Sequence, residues 1–252
     1  MSLRVEHAGS TARLVLSRPP HNYFDLADLT ALGDALAEVD RDPALRASVL
    51  CSDQKSFCAG ADFGGDDRPN PGLIYAQAVR LMERRKPLVA AVRGAAVGGG
   101  LGLALVADFR VGSAKARFQA NFVRIGLSPG FGISLTLPRL IGAQPARDLL
   151  LTARRVDGEE AYRLGLLDRL VDDADVETAA QTLAVQLSEA APAAMIATRR
   201  LLDGEQGDAF KTAVRRELEA QTPLFVSTDF AEGVAAARER RAPSFQPWGS
   251  PA

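Results

Sequence analysis

Residues 92–104 read Val92-Arg93-Gly94-Ala95-Ala96-Val97-Gly98-Gly99-Gly100-Leu101-Gly102-Leu103-Ala104. Glycine loses more conformational freedom on folding than any other residue, so three in a row inside an apolar run need a physical reason. The residues before them, Leu88-Val89-Ala90-Ala91-Val92, have almost no polar face and read as a strand buried on both sides. The residues after them, roughly Gly99 to Val106, read as an apolar helix. The first turn of a helix has free amides and the positive end of the dipole. With no side chains in the way, a ligand can approach the backbone, and a developing negative charge can sit on the Gly99 N–H, as in an oxyanion hole. Close packing of helix against strand accounts for the same glycines without a ligand. A phosphate-binding fingerprint fits less well: no glycine follows at 103, 105 or 106 to complete G-x-G-x-x-G, and the Lys-Ser/Thr of a P-loop is missing.

Working outward, strands alternate with helices. Ala12 to Leu16 reads as a strand stopped by Pro19-Pro20, and His7 falls in an N-terminal hairpin at the surface. Leu26, Leu29, Leu32, Leu36 and Val39 recur at helical spacing behind Asp25, a candidate cap. Ala47 to Cys51 is a second strand, residues 63–72 a Gly/Asp/Pro-rich loop, and Leu73 to Lys86 a helix ended by Pro87. This alternation predicts an α/β layer structure. From Ala143 on the pattern is mostly helical, over 143–152, 157–164, 176–190, 193–203, 207–220 and 229–240, with a short strand at 167–171.

Composition sets the bounds. The chain has 252 residues, 47% hydrophobic and 24% charged, as expected of one large globular domain or one domain with an appendage. A formal net charge of −1 argues against a nucleic-acid partner. The two cysteines, Cys51 and Cys58, sit in apolar surroundings and read as reduced thiols of a cytoplasmic protein. The N-terminus lacks a signal-peptide core, and the charge-free run Gly94 to Ala107 is too short to span a membrane.

A second stretch, Ser56-Phe57-Cys58-Ala59-Gly60-Ala61-Asp62-Phe63, again exposes backbone through small residues. Two such segments could converge two N–H groups on one carbonyl oxygen. Together, Phe57 to Asp62, Lys86 to Gly100, Ala107-Asp108, Gly126 to Gly132, Leu137 to Gly142, Ser227 to Val234 and Arg240 to Phe245 resemble the enoyl-CoA hydratase/isomerase (crotonase) superfamily, in order and over essentially the full chain. The resemblance implies an α/β fold of stacked ββα turns in a superhelix. The core is expected over 1–190 and a helical region over 191–252 that builds a trimer, often paired into a hexamer. The resemblance also implies a bent acyl-CoA as substrate, with its thioester oxygen on the amides of Ala61 and Gly99. Coenzyme A then enters as part of the substrate, and neither a metal nor a nicotinamide is needed.

The same resemblance exposes a gap. Hydratases of this superfamily use two glutamates to add water, and the matching positions here are Gly102 and Phe122; the acid some isomerases carry is Gly130 here. Ligand contacts are expected from Arg18, His21, Phe57, Ala59, Gly60, Asp62, Phe63, Gly98, Gly100, Asn121, Phe122, Pro129 and Gly130, with Asp62 also readable as a loop residue, His21 as merely exposed and Asn121 as structural. Phe122 and Phe131 would line an apolar acyl pocket. Spacing does not say which of Tyr75, Arg80 and Glu83 points inward. Arg84-Arg85-Lys86 and Arg238, Arg240 and Arg241 read as solvated faces, or as partners of CoA phosphates. Three readings stay open: an acyl-CoA enzyme of the enoyl-CoA hydratase kind; a relative with other thioester chemistry such as isomerisation, hydrolysis or C–C cleavage; and a protein that binds acyl-CoA without turnover.

Overall fold

The computed structural model describes residues 2–63 and 70–247. The chain opens with a hairpin, β1 (Ser2–Ala8) and β2 (Thr11–Ser17), followed by β3 (Tyr23–Phe24) and α1 (Leu26–Arg41). Next come β4 (Ala47–Ser52), β5 (Gly60–Ala61), α2 (Pro71–Met82), β6 (Leu88–Val92), β7 (Ala95–Val97), α3 (Gly99–Val106), β8 (Phe109–Gly112) and β9 (Arg117–Gln119). The C-terminal half holds α4 (Ile133–Ile141), α5 (Ala143–Thr152), β10 (Arg155–Asp157), α6 (Gly158–Leu164), β11 (Arg169–Leu170), α7 (Val176–Ser188), α8 (Pro192–Gln221) and α9 (Thr228–Glu239).

A six-stranded sheet runs in the order β1-β2-β4-β6-β8-β11, parallel apart from the β1–β2 hairpin. Its centre shows why β6 has no polar face. Leu88, Ala90 and Val92 point into the main core, while Val89 and Ala91 point into a second core covered by α7. Successive side chains of a strand face opposite ways, so a strand with a core on each side must be apolar throughout. A three-stranded sheet, β10-β9-β7, and a two-stranded pair, β3-β5, lie apart from it and carry the backbone of the site described below.

Local chemistry sets the element ends. Asp25 caps α1 through a reciprocal capping box with Asp28. Helix α2 begins at Pro71 behind the Asn70 cap, and it ends at Met82 rather than running to Lys86. The reason is Asp40, whose carboxylate takes the Arg85 N–H at 2.8 Å and the Lys86 N–H at 2.9 Å and draws both out of a helical ladder. The predicted helices 193–203 and 207–220 form one helix, α8. Glycine in a helix costs about 1 kcal/mol, and buried Phe210 and Val214 of the same helix offset that cost in the core. The strand expected at 167–171 pairs only over Arg169–Leu170.

Of the basic run 84–86, only Arg85 is exposed. Arg84 and Lys86 are buried; Lys86 Nζ donates to the carbonyls of Val39 and Asp42. Arg84 donates to Asp108 at 2.6 Å, and Arg199 of α8 donates to the other oxygen at 2.9 Å. Burial pushes the Asp108 carboxyl up, but the two guanidiniums and the Leu88 N–H outweigh it and hold the carboxyl below its ordinary range. A carboxyl depressed in the folded state contributes stability above its unfolded pKa of about 3.9 and loses it as pH falls through the folded value. Asp108→Asn is therefore expected to lower stability at pH 7 by about 3 kcal/mol. The difference from wild type should narrow below about pH 4. Denaturant titrations at both pH values check this, and a pH-independent difference would remove the ion-pair account.

Candidate active site

The three glycines turn out to have three different causes. Gly98 holds φ 53° and ψ −121° as the residue that starts α3, a conformation that a side chain disfavours. A Cβ on Gly100 would overlap the Cys58 carbonyl oxygen, so Gly100 serves packing and stands off the cavity wall. A Cβ on Gly99 would meet Phe24 Cζ at 2.6 Å and stand 3.8 Å from Ala61 N. Gly99 N is the first amide of α3, which the helix itself leaves unpaired.

The second segment arrives beside it. β5 pairs with β3, and Cys58 bridges to Ala96 of β7, which draws Gly60–Ala61 against the start of α3. A Cβ on Gly60, whose φ is +101°, would lie 2.9 Å from Val97 O and 3.5 Å from Gly99 N. Both segments open onto one cavity of about 470 Å³. Its walls are largely apolar, with Phe24, Ile74, Phe122, Leu127 and Phe131 among them. Phe63, Phe225 and Phe230 close one wall as a cluster with two edge-to-face pairs at 5.3 Å.

Of the residues expected at a ligand, Ala59, Gly60, Ala61, Asp62, Phe63, Gly98, Gly99, Asn121, Phe122 and Gly130 line this cavity. Arg18, His21, Phe57, Gly100 and Pro129 do not. Phe57 is fully buried in the main core. Arg18 is shared by Asp25 at 3.1 Å and by Asp28 and Asp62 at 2.9 Å each, so Asp62, the one carboxylate on the wall among the described residues, is ion-paired. His21 Nδ1 lies 3.0 Å from Ser56 Oγ. Asn121 Oδ1 sits over Gly98, 2.8 Å from where a Cβ there would stand.

Helix α2 sends Tyr75 inward, while Arg80 reaches Asp34 and Glu83 reaches Lys211. The Tyr75 hydroxyl donates to Gln221 Oε1, and Gln221 Nε2 donates to the Ser128 carbonyl. A Cβ on Gly130 would overlap that hydroxyl, so the absence of a side chain at 130 makes room for the tyrosine. Burial, with the charge of Glu217 adding to it, pushes the phenol well above its ordinary pKa, so it stays protonated. One turn earlier on α8, the Glu217 carboxylate accepts from Gly132 N at 2.6 Å and Ser134 N at 2.8 Å and caps α4. Burial pushes this carboxyl up, against the pull of those N–H groups. α8 thus clamps the 128–134 turn that forms part of the cavity wall.

The cysteines are free and buried, which raises Cys51 to about 11 and Cys58 to about 12. Neither thiol is on the cavity wall. No helix among the described residues is long and apolar enough to cross a membrane.

Residues 6–247 match the family model described as enoyl-CoA hydratase/isomerase. The chain belongs to the enoyl-CoA hydratase/isomerase family. It is 36% identical to the probable enoyl-CoA hydratase echA12 of Mycobacterium bovis, over 96% of this chain and 91% of that one. It is 33% identical to the crotonyl-CoA hydratase of Syntrophomonas wolfei, over 96% of each. A solved enoyl-CoA hydratase/isomerase from Pseudoalteromonas atlantica superposes with a TM-score of 0.89 at 31% identity, covering 98% of this chain and 100% of that one. The fold is the crotonase fold that the sequence motifs resemble. In this member of the enoyl-CoA hydratase/isomerase family, the motifs did not single out Gln119, Arg155 and Gln221, which lie on the wall. Gln119 and Arg155 sit on three-residue strands, and Gln221 at the last turn of a long helix. None carries a local pattern that sets it apart from a surface residue.

Proposed function

We propose that the protein acts on acyl-CoA thioesters, stabilising a thioester enolate with the amides of Ala61 and Gly99. The observation that carries this reading is the convergence of Gly60–Ala61 and Gly98–Gly99 on the wall of one largely apolar cavity. Fixed donors facing an apolar space favour a charge that appears only during reaction. The acyl chain lies among Phe122, Phe131, Ile74 and Leu127, and coenzyme A leaves on the Arg18–His21 side. The test is thioester binding and turnover with the Gly99 amide present and absent, comparing Gly99→Ala with Gly99→Pro. A second reading, that the protein binds acyl-CoA without turnover, is favoured by the same cavity. Among the described residues its one carboxylate, Asp62, is already engaged by Arg18, and its tyrosine at 75 stays protonated.

The assembly proposed is a homotrimer or a dimer of trimers. Leu201, Leu202 and Val226 in the C-terminal helical region are 72–84% exposed in the single chain, and burying exposed large apolar side chains between subunits favours association. Light scattering at micromolar concentration is expected to give three or six times the chain mass, and a stable monomer would count against it.

A further inference from the structure

Arg155 differs from the arginine beside it. Arg154 is satisfied, with Nε 2.7 Å from Asp148 and Nη2 2.7 Å from Glu160. Arg155 lines the cavity, yet it meets no carboxylate among the described residues. Its one polar partner is neutral: Nε donates to Gln119 Oε1 at 3.3 Å. Gln119 is itself held, its Nε2 donating to the Ala153 carbonyl at 2.7 Å. The amide thus takes the Nε of the guanidinium, and no partner among the described residues takes the two Nη groups. A guanidinium edge of this kind matches a carboxylate bidentately.

The position of Arg155 relative to the two amides indicates what it would meet. Arg155 pairs with Gln119 across β10–β9, and Gln119 pairs with Val97 across β9–β7. The Gln119 carbonyl accepts the Gly98 N–H at 2.9 Å. Arg155 therefore stands two strand spacings, about 10 Å, from the backbone leading into Gly99. It lies on the Gly98–Asn121 side, whereas Arg18 is tied to Asp62 on the Ala61 side. Among the described residues Asp62 is the one carboxylate on the wall, and it is ion-paired there. Arg238, the other wall cation that meets no carboxylate among the described residues, donates to the Phe63 carbonyl on the α9 side.

We propose that Arg155 receives an anionic group of the ligand, a carboxylate on the acyl chain, so that the substrate class is a dicarboxylic acyl-CoA thioester. This rests on the acyl-CoA reading above. The other source of an anion is a phosphate of coenzyme A, and the arms of the test separate the two. Calorimetric titrations compare wild type, Arg155→Gln and Arg155→Lys against succinyl-CoA, glutaryl-CoA, butyryl-CoA and free CoA. A hydrogen-bonded charge contact in a partly open site is worth about tenfold in affinity. Arg155→Gln is expected to weaken succinyl- or glutaryl-CoA by about that factor, with butyryl-CoA and CoA changed less than about twofold. Arg155→Lys should retain part of the preference, and added salt should shrink it. An equal loss for all four ligands would assign Arg155 to the CoA phosphates and overturn the proposal, as would no loss for any. Wild type that binds none of the acyl thioesters would instead remove the acyl-CoA reading beneath it.

Discussion

Crotonyl-CoA hydration by this protein is expected to fall well below the usual enzyme range of about 1–10³ s⁻¹. Water addition needs a group that activates water and one that protonates C2, and positioned acid–base groups are typically worth about 10²–10⁴-fold. The family resemblance puts the hydratase glutamates at Gly102 and Phe122, and neither residue can move a proton. The remaining wall groups among the described residues do not replace them. Asp62 is engaged by Arg18, and burial pushes the Tyr75 phenol up, so that it is protonated at neutral pH and a poor proton donor. Phe122 also puts an apolar ring on the wall where the resemblance places a glutamate. A steady-state assay on the purified protein decides the matter, and turnover inside the usual range would show that another residue has taken the role.

Installing the acids is expected to fail without further change. A Cβ at position 102 would stand 2.7 Å from Phe131 Cδ1 and 2.8 Å from its Cβ. These are contacts that side chains do not tolerate, so Gly102→Glu forces the Phe131 ring aside or distorts α3. The pair Gly102→Glu and Phe122→Glu should hydrate no faster than wild type, while adding Phe131→Ala opens the room for residue 102. A rate gain in the double variant alone would mean that Phe131 moves more freely than its packing against Phe24, at 5.7 Å between ring centres, implies.

Gly99→Pro is expected to cost about 10²–10³ in the turnover of whichever thioester the wild type processes. Proline removes the N–H outright. It is also well tolerated at the first helical position, where the missing donor has no intrahelical partner. The fold should therefore survive a change that deletes one of the two amides. Any residue other than glycine also brings a Cβ within 2.6 Å of Phe24 Cζ. Gly99→Ala carries the same Cβ with the amide intact and so isolates the steric part. The expected order is wild type fastest, alanine reduced, and proline lower again by the donor's share. Equal rates for the alanine and proline variants would take Gly99 N out of the chemistry.

The sequence by itself determined the elements whose signals are local. Helix α1 starts where Asp25 can cap it, β6 spans the wholly apolar Leu88–Val92, and α3 covers Gly99–Val106, because caps, periodicity and two-sided burial are written within a few residues. The small-residue segments 57–62 and 92–100 were legible in the same way. Only the tertiary structure decided what those segments do together. Gly60 and Gly99 are far apart along the chain, and the bridge between Cys58 and Ala96 brings them into contact. Strands of two or three residues such as β5, β7, β9 and β10 are too short to show a period, so the small sheets that hold the site had no sequence signature. Helical spacing likewise left Tyr75, Arg80 and Glu83 equivalent. The partners selected among them, because Asp34 and Lys211 lie where Arg80 and Glu83 can reach them, while Gly130 leaves a space that the Tyr75 hydroxyl fills. Arg155 follows the same rule. Its charge was visible in the sequence, but its lack of a carboxylate depends on every neighbour that the fold places around it.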